Sequence, residues 1–147
     1  MCGICGVVNW EGPPDAEPVR AMSSTMVHRG PNADGLIIRP PAILAHRRLS
    51  IIDLSDGANQ PMVDDSGRYS ITFNGEIYNY RVLRTKLEGF GIRFRTQSDT
   101  EVLLNAYIAW FERKNSNHQR LACGVLTIVL RVESFRGTVM RSPFRIL

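Results

Sequence analysis

The sequence is poor in cysteine. Cys2, Cys5 and Cys123 are too few for a disulfide scaffold in a chain of 147 residues, and their odd number leaves a thiol unpaired. Cys2 and Cys5 have the spacing of a redox pair or of half a zinc site. A redox pair follows a strand inside a βαβ unit, and zinc needs two further ligands at a suitable spacing. Neither context is visible in the sequence, so no metal site is expected. Long apolar runs are missing too: nothing approaches the ~18 residues of a membrane span. The N-terminus lacks the basic-then-apolar layout of a secretory signal, which makes a cytoplasmic protein without membrane attachment the expectation. Internal repeats and low-complexity tracts are likewise missing. The net charge of +4 would suggest a polyanion partner if it were spread over one face. Instead, residues 111–147 carry seven Lys or Arg against two Asp or Glu, while residues 1–110 carry eleven against twelve. With the excess confined to the tail and no aromatic-interleaved basic motif, no nucleic-acid partner is expected.

What remains is an ordinary globular composition, 44% hydrophobic and 22% charged, long enough for one domain with a sizeable core. Gly3 to Trp10 reads as a short buried strand with Cys2 at its free end. Asp15 is placed to cap a helix bearing Val19, Met22 and Met26 on one face. Leu36 to Ile38 and Ile43 to Ala45 read as a strand pair around Pro40-Pro41, and His46 to Asp53 as its extended continuation. Ser55 to Pro61 reads as a loop, Tyr69 to Phe73 as a strand, and Asn74-Gly75 as a tight turn. Asn79 is placed to cap a helix carrying Val82, Leu83 and Leu87 and closed by Gly89 and Gly91. Ile92 to Phe94 reads as a brief strand. Ser98 and Glu101 form a capping box opening a helix with Val102, Leu103, Ala106, Tyr107 and Trp110 as its apolar stripe. Composition breaks near Phe111.

The chemistry centres on Cys2. Once the preceding methionine is removed, thiol and α-amine share one carbon. Such groups ordinarily titrate near ~8.5 and ~7.7–8.0, so the amine can serve as the thiol's own base near neutral pH. On position alone, Cys2 reads rather as a small residue that starts a strand.

Five motifs occur in order: Met1-Cys2-Gly3-Ile4-Cys5-Gly6, His28-Arg29-Gly30-Pro31, His46-Arg47-Arg48-Leu49-Ser50-Ile51-Ile52-Asp53, Phe73-Asn74-Gly75-Glu76-Ile77-Tyr78-Asn79-Tyr80 and Ser98-Asp99-Thr100-Glu101. Together they resemble the class II glutamine amidotransferase domain, an N-terminal-nucleophile hydrolase, and most closely the N-terminal half of glutamine-hydrolysing asparagine synthetases. The resemblance covers residues 1–110. It implies an α+β fold, an αββα four-layer sandwich, and hydrolysis of L-glutamine to glutamate and ammonia through a cysteinyl thioester, with no cofactor. It implies Cys2 as nucleophile and Asn74 and Gly75 as the oxyanion hole. Arg48 would grip the substrate α-carboxylate, for which the guanidinium fork is suited. Asp99 would pair with the α-ammonium, although an acid in the first turn of a helix is also stabilised by the dipole alone. Leu49, Ser50, Ile51 and Ile52 would line the pocket, largely through backbone groups, and Glu76 would also contact glutamine. Arg47 is read as a solvated charge, and His28 and His46 as hydrogen-bonding scaffold residues.

Some features depart from the family. Asn32 stands where the family usually has aspartate, with Asp34 the nearest carboxylate that would compensate. Residues 111–147 keep only an outline of the family's continuing strands and read as a divergent or garbled tail of the same domain, so the expectation is a fold truncated at its C-terminal strands. The Ser-Gly-Gly-x-Asp-Ser pyrophosphate loop is absent, so ATP and Mg chemistry would belong to a separate or downstream synthetase domain. Two rivals stand beside the glutaminase reading: the glutaminase module of another class II amidotransferase, and an inactive fragment that retains site residues without turnover.

Overall fold

The computed structural model describes residues 2–110 and the backbone of 111–112, 127–131 and 145–146; the expectations for the rest of the tail lie outside the described residues. Its helices and two antiparallel sheets make an α+β fold.

The first sheet joins β1 (Gly3–Val8), β2 (Ala33–Arg39) and β3 (Ala42–Arg48) in the order β1-β3-β2. β2 and β3 are both longer than the apolar triplets in the sequence suggested, because their ladder runs from the pair Arg39–Ala42 to the pair Ala33–Arg48. β3 is central and buried on both faces. Ile43 and Ala45 pack on Val19 of α1 (Glu17–Thr25), while Ala42 and Leu44 form a second cluster with Ile37. The buried side of α1 runs through Val19, Ser23 and the half-buried Met26; Met22 is 40% exposed, one position off the expected face. Asp15 accepts the Glu17 N–H at 3.0 Å at the helix entrance.

The second sheet has the order β4-β5-β6-β7: β4 (Met62–Val63), β5 (Tyr69–Phe73), β6 (Thr127–Arg131) and β7 (Arg145–Ile146). Against it pack α2 (Tyr80–Gly89) and α3 (Asp99–Glu112), burying Tyr69, Ile71, Phe73, Leu83, Leu87 and Leu103 in one core. Each such side chain contributes about 1.5–3 kcal/mol by leaving water. No residue from Asp99 to Trp110 is exposed, so the expected stripe of α3 widens to its whole circumference. Val82, expected inside, is 59% exposed on α2. That helix ends as the glycines suggested: Gly91 has φ +83°, its N–H donates to Glu88 O at 2.9 Å, and the Ile92 N–H donates to Leu87 O at 3.1 Å.

Two local expectations fail. Asn74-Gly75 is not a hairpin turn, since neither residue has positive φ and β5 leads into α2 rather than back into the sheet. Ile92 to Phe94 is not a strand. Side chains hold this stretch instead: the Arg84 guanidinium lies 4.4 Å from the Phe94 ring and donates to Thr96 O at 2.7 Å.

Candidate active site

The two sheets meet where β3 faces the end of β5. His46, fully buried, donates from Nε2 to the carbonyl of Phe73 at 3.3 Å. Because that carbonyl only accepts, the ring proton sits on Nε2, and Nδ1 has no partner among the described residues. Burial holds the imidazole pKa down at about 4 against the carbonyl's opposing pull, with Arg48 lowering it further. His46 is therefore a neutral tie between the sheets. His28 stays at the surface, where its Nδ1 bonds the Thr25 carbonyl at 3.1 Å at the end of α1.

Beside this tie lies a cleft of about 410 Å3. Cys2 enters it from the start of β1, Arg48 from the end of β3, Asn74 and Gly75 from the end of β5, and Asp99 from the first turn of α3. Leu49, Ile51, Ile52 and Glu76 also line it; Ser50 does not. Ser50 instead donates its N–H to Asn32 Oδ1 at 3.0 Å, while Asp34 pairs with Arg47 at 3.8 Å. Arg47 is not the solvated charge expected: its side chain is 19% exposed, and Nε donates to both Ser23 O and Oγ at 3.1 Å, fastening α1 to β3. Nor do residues 49–52 continue the strand, which ends at Arg48; Ile51 is 73% exposed.

Cys2 is half-buried and free. The Leu49 N–H points at its sulfur at 3.3 Å, and Arg29 Nε donates to its carbonyl at 3.2 Å. Cys5 goes elsewhere, with its thiol toward Val19 O at 3.7 Å. Burial pushes the Cys5 thiol up, against the opposing Arg47 charge. The two cysteines therefore have separate neighbours, and among the described residues no cluster of three or more His, Cys, Asp or Glu could hold a metal ion.

Arg48 is buried, and its guanidinium gathers the loop that follows. Nη1 donates to Ser55 O and Asn59 Oδ1, both at 2.8 Å, and Nη2 donates to Asp53 O. Asp53 steadies the same loop by accepting N–H bonds from Ser55 (2.8 Å) and Gln97 (2.7 Å). Bonds from Ser55 above all hold its carboxyl below the ordinary range.

Asp99 is 5% exposed, and Oδ2 accepts the Ile77 N–H at 3.1 Å. No Lys, Arg or His among the described residues forms an ion pair with it. Burial raises its carboxyl above the usual range, N–H donors from Ile77, Thr100 and its own backbone pull the other way, and Glu76 adds to the rise. Behind it the capping box is half made. Ser98 Oγ accepts the Glu101 N–H at 3.2 Å, but the Glu101 carboxylate reaches past Ser98 to the N–H groups of Arg95 (2.9 Å) and Thr96 (2.7 Å).

Over residues 1–130 the sequence matches the family model described as a glutamine amidotransferase domain. The chain belongs to that family. It is 45% identical to asparagine synthetase (glutamine-hydrolyzing) 1 of Bacillus subtilis, over 73% of this chain and 17% of that protein. A probable asparagine synthetase (glutamine-hydrolyzing) of Schizosaccharomyces pombe is 43% identical over 73% of this chain and 19% of its own length. The corresponding protein of Triphysaria versicolor is 36% identical over 88% of this chain and 21% of its own. The chain thus spans about a fifth of the length of these relatives. Among its described residues, no helix is long and apolar enough to cross a membrane.

Reasoning from sequence missed Gln60, Ser98 and Thr100, which also line the cleft. Gln60 sits in a stretch read only as a loop, and nothing in its sequence neighbours marks it. Ser98 and Thr100 flank Asp99 in a stretch read as a capping box and as one of the five motifs, in which Asp99 alone was given a site role.

Proposed function

We propose that this chain hydrolyses L-glutamine to glutamate and ammonia as the glutaminase portion of an asparagine-synthetase-like enzyme. The observation that carries the reading is the buried Asp99 carboxylate, unpaired with any cation among the described residues, in the same cleft as Cys2 and Arg48. A buried carboxylate without a counter-ion is costly to keep charged. A substrate ammonium would supply that counter-ion, and Arg48 the complement for its α-carboxylate. Among the described residues the Arg48 Nε–H and one Nη2 hydrogen have no acceptor, so part of the fork is free to bond an incoming carboxylate.

With the amino-acid end held, the side-chain amide is directed toward Cys2. Its sulfur attacks the amide carbon while the α-amine takes the thiol proton. The negative oxygen is stabilised by the Asn74 side-chain amide and the Gly75 N–H. Collapse passes the proton to the leaving nitrogen, releasing ammonia and leaving a thioester, which water hydrolyses to glutamate and free Cys2. The fold we assign is the αββα four-layer N-terminal-nucleophile sandwich, with α1 on the first sheet and α2 and α3 on the second; the cluster of α1 with β3 and the packing of α2 and α3 on β5 support it. Residues 1–110 form its core in this reading, and 111–147 belong to the same domain. The ammonia acceptor, with ATP and Mg, would belong to the synthetase portion implied by the relatives' name.

The rival reading, a chain that keeps its site without turnover, draws on Arg48, three of whose N–H groups already hold the loop. Glutamate release separates the two. The purified chain, shown by intact mass to lack Met1, is expected to form glutamate from glutamine, and Cys2→Ser to abolish it. No release from the processed protein favours the rival.

A further inference from the structure

Gln60 is 7% exposed, and both ends of its carboxamide are used. Oε1 accepts the Phe73 N–H at 2.6 Å, and Nε2 donates to Thr100 Oγ1 at 3.0 Å. The register shows why a side chain stands there. β4 pairs Met62 with Ile71 and Val63 with Ser70, and the same register carried back sets Gln60 opposite Phe73. Between them Pro61 has no N–H to give. The Gln60 carbonyl has left the ladder for the first sheet, where a Cβ on Gly35 would lie 2.1 Å from it. The backbone ladder therefore stops, and the Gln60 side chain supplies the missing acceptor.

The carbonyl of Phe73 is meanwhile taken by His46, and four residues on the Ile77 N–H is taken by Asp99. Residues 74–76, which line the cleft, are thus a bow fastened at both ends, half-buried at Asn74 and exposed at Gly75 and Glu76. Among the described residues, the Gln60 side chain spans from the near end of that bow to the first turn of α3, which carries Asp99. We propose that Gln60 is a positioning residue whose carboxamide sets Asn74 and Gly75, the oxyanion donors, in register with Asp99, the ammonium partner. This rests on the glutaminase reading above. Chemistry needs both ends of one glutamine to be met at once, and a small misplacement of pre-oriented groups is expensive in rate.

Two measurements on the full chain test it. In amide hydrogen exchange read by NMR, the Phe73 N–H is protected in the native protein and exchanges at least ~10-fold faster in Gln60→Met. An unprotected native Phe73 amide overturns the proposal whether or not the chain turns over. In kinetics, Gln60→Met lowers kcat by roughly 10- to 100-fold with KM within about twofold, less than the ~10²–10³-fold of removing an oxyanion donor outright. In an Asn74→Ala background the same change lowers kcat less than about twofold. Additive losses, or a loss in KM alone, overturn it. Thr100→Val removes only the far anchor and reads the coupling should Gln60→Met not fold, with a kcat loss of about 3- to 10-fold that again vanishes without Asn74. A native chain with no glutamate release and an unlabelled Cys2 instead refutes the glutaminase reading, and exchange at Phe73 still decides whether Gln60 holds the strand end.

Discussion

The backbone N–H of Ile77 donates to Asp99 Oδ2 at 3.1 Å, so the carboxylate that faces the cleft also anchors the segment following Asn74 and Gly75. Its two duties can be separated. Asp99→Asn keeps an acceptor for Ile77 but removes the charge, and a charge-assisted bond is worth ~1.5–3 kcal/mol. KM for glutamine is expected to rise roughly 10- to 100-fold. Stability at pH 7 is expected to hold or increase. The folded-state pKa of Asp99 is raised, so its contribution to stability is present at low pH and lost as pH rises through that pKa. Steady-state kinetics and a urea melt of the variant check both.

The same raised carboxyl sets a pH dependence. In the proposed reading ammonium binding needs Asp99 ionised, so KM should climb as pH falls, and begin climbing at a higher pH than an ordinary carboxylate would give. A KM profile between pH 8 and pH 5 on roughly quarter-unit steps reads the onset, and the Asn variant should lose this limb.

His46 makes an opposite and separable contribution. Its pKa is lowered to about 4 in the folded chain, so its share of stability is present above the unfolded value near ~6.5 and lost as pH falls through about 4. The full swing is on the order of 3 kcal/mol. Melting temperatures of His46→Gln, which keeps a donor for Phe73 O, should fall less between pH 7 and pH 4 than those of the native chain.

Glu101 offers a test of the helix entrance. Its carboxylate takes the N–H groups of Arg95 and Thr96 and the Thr96 hydroxyl at 2.7 Å. Glu101→Leu leaves the two buried Thr96 donors without it, and about 1–3 kcal/mol of stability should go, read by urea denaturation.

Much of this site was legible because its chemistry is written in local runs. Cys2, Arg48, Asn74 and Asp99 each sit at the end of a strand or the start of a helix, where short motifs carry both the end of the element and the candidate side chain. What stayed hidden depends on pairing across the chain. Gln60 matters only because β4 meets β5 in one register and Pro61 interrupts it, and no window of sequence around residue 60 contains that fact. Arg47 looked solvated because its partners, Ser23 and Asp34, come from α1 and β2. Ile92 to Phe94 had the composition of a strand, yet Arg84 and Glu101 claim the neighbouring backbone groups through their side chains. Asn74-Gly75 carried a hairpin signal in a place where the chain goes on into a helix.

The central claim is that Cys2 is the nucleophile of a glutamine-binding cleft. Incubation of the Met1-free chain with an electrophilic glutamine analogue, followed by peptide mass mapping, tests it most directly. The account predicts saturable, single-site labelling at Cys2, slowed by glutamine and weakened in Asp99→Asn, with Cys5 untouched beside Val19. Labelling that ignores glutamine, or that falls on Cys5 as readily as on Cys2, would contradict it.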